Sequence, residues 1–159
     1  MRSTGWTLIA VCALVVAICG ARLGAAGGDR KDDPPGEPSC SAMTIRGDYG
    51  IQFQGTRPAP GGSMETVIGV VHRTYDGEGN VDQVDNVKGS VTGITPDRRG
   101  FGTYEVFADC TGIARFQPGP GILIEERMVI VDHGREIRTI TASPAAVMVT
   151  SVQRRIDTR

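Results

Sequence analysis

Little in this chain of 159 residues could hold a metal or run a familiar nucleophilic reaction. It has two histidines, His72 and His133, and no pair of cysteines spaced as zinc ligands, so no metal site is expected. There is no Gly-x-Ser-x-Gly elbow for a serine hydrolase. Asp76, Glu78 and Asn80 alternate like the start of an EF-hand loop, but the third position is Glu. The glycine and distal glutamate of such a loop are also missing at their required offsets. A hairpin turn explains the same residues. No basic surplus exists either, with 17 Lys and Arg against 18 Asp and Glu. That balance argues against a nucleic-acid partner, which needs a concentrated positive face. No cofactor motif or catalytic constellation is found, and no helical periodicity appears beyond residue 40.

What is present points first to export. Residues 1–26 read as a signal peptide: Arg2 gives the positive start, residues 8–19 form an uncharged apolar run, and Gly24, Ala25 and Ala26 offer small residues for cleavage after Ala26. An uncleaved anchor is the alternative, but the run falls short of the roughly 20 residues a membrane span needs. A lipoprotein is disfavoured because Val11 and Ile18, rather than small residues, precede Cys12 and Cys19. Cleavage would remove those two cysteines. Cys40 and Cys110 would then remain to pair in an oxidising compartment, the periplasm or the extracellular medium. Residues 27–39 mix charge, Gly and Pro and read as a flexible linker. The folded domain is expected at 40–159, with no membrane contact after cleavage.

The 22 glycines and 9 prolines punctuate runs rich in β-branched and aromatic residues. These runs predict eight strands, at 44–54, 64–75, 81–95, 102–110, 113–117, 122–132, 136–142 and 145–155. Turns are expected between them, including 55–63, 96–100 and 111–112. In the first run Ile45, Gly47, Tyr49, Ile51 and Phe53 share one face, and Thr44, Arg46, Asp48, Gln52 and Gln54 the other, the period of a half-buried strand. The third run has similarly mixed faces, so its buried side stays open. Short connections force antiparallel neighbours. The expected fold is all-β: an eight-stranded antiparallel up-and-down barrel, with a β-sandwich as the rival. The polar outer face of the first run favours a barrel in water over one in an outer membrane, where Arg or Lys costs roughly 2–4 kcal/mol at mid-bilayer.

In such a meander Cys40 and Cys110 lie at one end. Their disulfide requires the N-terminal segment to cross beneath the barrel as a floor. Longer Pro/Gly-rich loops gather at the other end, where a mouth would lie. Tyr49, Phe53, Tyr104 and Met128 are expected on inner faces, either as core filling or, with Glu126, as candidate ligand-binding residues. Glu125 and Glu126 must face opposite sides, and Glu126, in phase with Ile122, Ile124, Met128 and Ile130, points inward. An inward Glu pairs with an Arg, sits near the rim or serves as a proton-transfer group. A barrel this size is just wide enough for its own side chains or one small ligand.

Residues 45–50 (IRGDYG), 75–81 (YDGEGNV), 102–104 with 109–112 (GTY, DCTG) and 130–138 (IVDHGREIR) resemble stretches of small secreted bacterial β-barrel proteins. Those are similar in outline to calycin and allene oxide cyclase or dirigent barrels. The resemblance implies a calycin-like barrel but carries over no catalytic residue. Three functions are compatible with it: binding of a small, mostly apolar molecule, an isomerase or cyclase of allene oxide cyclase-like fold, and a structural or surface-interaction domain without a ligand. A purely apolar cavity would favour the first, a cavity with a buried Glu, Arg or Tyr the second, and a filled core the third.

Overall fold

A computed structural model describes residues 39–156. The signal-peptide expectation and nearly all of the linker fall outside these residues. Strands β1 (Gly47–Pro58), β2 (Met64–Tyr75), β3 (Asn80–Gly89), β4 (Gly93–Val106), β5 (Thr111–Gln117), β6 (Ile124–Val131), β7 (Glu136–Ser143) and β8 (Met148–Arg155) form a closed ring in chain order. Each is antiparallel to the next. β8 returns to pair with β1, from Tyr49 opposite Arg155 to Thr56 opposite Met148. The ring closure decides between the two expected architectures in favour of the up-and-down barrel.

Inward and outward residues alternate as the pleat demands. On β1, Tyr49 and Ile51 are buried, Phe53 is half-buried, and Gln52 and Gln54 are exposed. β3 turns Val81, Gln83, Asp85 and Val87 inward, which resolves the face left open by its sequence. On β2 the inward set is Glu65, Val67, Gly69, Val71, Arg73 and Tyr75. Gly69 is needed there. It stands opposite Phe53, and a Cβ at this position would run into the Phe53 ring, so the glycine lets that ring lie across the neighbouring strand.

Two expected turns lie elsewhere. The chain reverses at residues 90–92, and Pro96 to Gly100 sit inside β4. The pairing slips there, because Asp85 faces Arg98 whereas Val87 faces Thr95. β4 thus carries one more residue than β3 across the slip, and Asp97 adopts φ 50°. A β-bulge accommodates both a proline without an N–H and a left-handed residue, so the same signals that read as a turn mark a kink. The second displaced turn is 107–110 rather than 111–112, and Thr111 and Gly112 open β5.

The lower end is sealed. Cys40 and Cys110, 70 residues apart, form the expected disulfide with a Cα separation of 4.9 Å. The segment between Cys40 and β1 forms a short 3-10 turn, η1 (Ala42–Ile45), whose Ile45 is fully buried in the core. A second, η2 (Asp132–Gly134), joins β6 to β7. Above them all three tyrosines of the chain pack edge to face, Tyr49 on Tyr75 at 5.4 Å and Tyr75 on Tyr104 at 4.9 Å between centroids. Their hydroxyls tie the floor to the wall: Tyr49 donates to the Gly134 carbonyl, and Tyr104 to that of Ala42. Tyr104 also accepts from the Gly77 N–H at 2.9 Å. Met128 and Ile137 complete this filled lower half.

Candidate functional site

The upper half of the barrel is hollow. A cavity of about 290 Å³ lies between the strands and the loops that follow β5 and β7. Ile51, Phe53, Val71, Phe116, Ile124 and Val149 supply much of its wall. Pro118, Ile122, Pro144, Ala146 and Val147 stand at its upper end, where the Pro/Gly-rich loops were expected to form a mouth. The volume is at the low end for ligand pockets, so the space suits a small molecule.

Beneath this space sits a polar layer that separates it from the tyrosines. Arg73, only 2% exposed, donates from Nη1 to Glu126 Oε2 at 2.9 Å and from Nη1 to the Tyr75 hydroxyl at 3.2 Å. Its Nε and Nη2 both donate to Gln83 Oε1, at 2.9 and 2.6 Å. The guanidinium also lies 4.4 Å from the Phe116 ring centroid, a cation–π contact away from water. Gln83 Nε2 reaches Asp85 Oδ2 at 3.3 Å, and Asp85 in turn receives a two-pronged contact from Arg98 at 2.8 and 2.9 Å. Burial, the largest single influence, opposes the charged form of Arg73, but the Glu126 carboxylate and the Tyr75 hydroxyl together outweigh it, and the net direction of its pKa is upward. Burial raises the Tyr75 hydroxyl, which keeps it a neutral donor to Gln153 Oε1 at 2.9 Å.

Glu65 anchors the rim. Its buried carboxylate accepts the N–H groups of Val91 and Thr92 at 3.1 and 3.0 Å and pairs with Arg57 at 2.8 Å. It thereby caps the β3–β4 turn. Gly89 makes this possible, because a Cβ there would occupy the carboxylate's place. The Thr92 N–H, aided by Arg57 and Val91, holds the Glu65 carboxyl at about 2, below the usual 4.3 or so. A depressed folded-state pKa contributes stability that is complete above the unfolded value and lost as pH falls towards about 2. Acid unfolding followed by circular dichroism should therefore show a shallower loss of stability below about pH 4.3 in Glu65→Gln than in the parent. Parallel acid profiles would mean that the cap carries no such linkage.

The residues singled out in the sequence divide between the two halves. Phe53 and Glu126 line the cavity. Tyr49, Tyr104 and Met128 are buried in the core below it. Glu126 pairs with Arg73, one of the alternatives its inward position left open. Sequence reasoning missed Arg73, Gln83, Asp85 and Arg98. The period of two along residues 64–75 does put Glu65, Arg73 and Tyr75 on one face, but nothing local marks that face as the inner one. His72 and His133 are both exposed on the outside. No group of three or more His, Cys, Asp or Glu side chains among the described residues is placed to hold a metal ion.

No family model, no curated protein and no solved structure matches this chain.

Proposed function

We propose that this barrel binds a small molecule with a mostly apolar body, and that it does so after export, in an aqueous compartment. The observation that carries the reading is the hollow upper half, an apolar-walled space above a polar floor in a barrel filled below. Hydrophobic walls supply affinity and a few fixed polar groups supply orientation, the usual division of labour in a ligand pocket. The signal-like residues 1–26 and the Cys40–Cys110 bond support export, since disulfides persist in oxidising compartments. Exposed Arg115, Arg127 and Arg138 on the outer wall support a watery setting, because each would cost roughly 2–4 kcal/mol at mid-bilayer.

Native mass spectrometry of the protein purified from its own host tests the reading. A non-covalent small-molecule adduct is expected, and Ala146→Trp, which fills the upper end of the cavity without touching the floor, should lose it. A protein that carries no adduct and takes up none from a host extract would overturn the reading. A second reading, an isomerase or cyclase, is favoured by the Glu126 carboxylate lining the cavity. It predicts that the adduct is converted on incubation and that Glu126→Gln stops conversion while the adduct stays bound.

A further inference from the structure

The cavity floor carries a further inference about what it binds, and this rests on the binding reading above. Among the described residues three cations line the cavity, Arg57, Arg73 and Arg98, and each has its own carboxylate, Glu65, Glu126 and Asp85. The charge around the cavity therefore sums to zero. The deepest pair is also the driest, with side chains 3% and 9% exposed. Glu126 uses Oε2 for Arg73, and no group among the described residues donates to Oε1. Gln83 spends one N–H of Nε2 on Asp85 and retains the other. The cavity lining thus offers an acceptor with charge behind it and a spare donor.

We infer that the ligand is a neutral molecule with an apolar body and a terminal hydroxyl, an alcohol rather than a carboxylate or an amine. A hydroxyl both donates and accepts, so it can give its proton to Glu126 Oε1 and take one from the Gln83 amide. A carboxylate would bring a second negative charge beside Glu126, while Arg73 is already neutralised. An ammonium would pair with Glu126 but leave a net positive charge among apolar walls. In both cases an unbalanced charge leaves water for a low-dielectric space, a cost that a neutral head group avoids.

Titration of the full exported protein with 1-octanol, octanoate and octylamine at neutral pH separates these chemistries, read by calorimetry and by the methyl resonances of Ile124 and Val149. Octanol should bind about tenfold tighter than either charged analogue, because each of those carries an unbalanced charge into the low-dielectric space. It should also shift both methyl groups. In Glu126→Gln, which keeps the shape but strips Arg73 of its counter-charge, octanoate should overtake octanol. Octanoate or octylamine binding as tightly as octanol to the parent protein would overturn the alcohol assignment and leave the binding cavity standing. If none of the three moves the Ile124 and Val149 methyls, the cavity reading falls with it. Should Glu126→Gln fail to fold by circular dichroism, the ranking in the parent protein decides alone.

Discussion

Arg73→Met should lower the unfolding free energy by about 3–5 kcal/mol, the usual consequence of stranding one member of a buried ion pair. The substituted side chain is similar in length and keeps some packing against Phe116, so most of the loss is electrostatic and polar. Glu126 would stay inside the barrel with no cation, and Gln83 Oε1 would lose both of its donors. An unpaired buried acceptor carries its full desolvation penalty. The double variant Arg73→Met/Glu126→Gln removes the stranded charge and should be more stable than Arg73→Met alone. Urea unfolding followed by far-ultraviolet circular dichroism measures both. Equal instability of the single and double variants would show that packing on Phe116, rather than the charge pair, holds this layer.

Replacing both Cys40 and Cys110 by Ala should cost about 4 kcal/mol, the chain-entropy value for a closed loop of this length. For a domain of this size that corresponds to a melting temperature lower by roughly 15 °C. The bond acts mainly on the unfolded chain, so octanol binding at low temperature should persist in the variant. The tie also holds η1 against the β4–β5 turn, where the Cys40 N–H donates to the Ala108 carbonyl at 3.2 Å. A loss below about 1 kcal/mol would mean that the floor is held by its tyrosine hydrogen bonds and that the covalent link adds little.

The fold was legible where side-chain polarity and pleat agreed. Along β1 apolar residues face in and glutamines face out, so its alternation from Tyr49 to Gln54 was legible, although residues 44–45, read as its start, form the 3-10 turn η1, and residues 55–58, read as loop, extend the strand. Along β2 they disagree. Ile68 and Val70 are 54% and 59% exposed, while Glu65 and Arg73 are buried. Polarity alone does not say which face of that strand turns inward, since Val67, Val71 and Tyr75 balance Met64, Ile68 and Val70. What decides it is distant: the partner of Arg73 lies 53 residues further along, on β6. A period-two pattern contains no information about such a pairing. The Pro96–Asp97 bulge was misread for a related reason. Proline and a left-handed residue state that the backbone is irregular, and only the neighbouring strand decides whether the irregularity is a reversal or a kink.

The candidate site was half legible. Phe53 and Glu126 were placed by alternation on their own strands. The hollow itself was not, because it arises from the difference between the width of the ring and the bulk of the residues inside it. The three tyrosines, Met128 and Ile45 fill the lower end. Above them the bulk runs out, and Gly69 allows the Phe53 ring to lie flat against the wall.

A tube stopped at one end behaves differently from one open at both. With η1, η2 and the tyrosine layer closing the bottom, this barrel is a cup and not a pipe. A ligand of the kind proposed would leave past Pro118, Pro144 and Val147 at the upper end. Uptake and release would then share that end, and two molecules competing for the space would exclude one another.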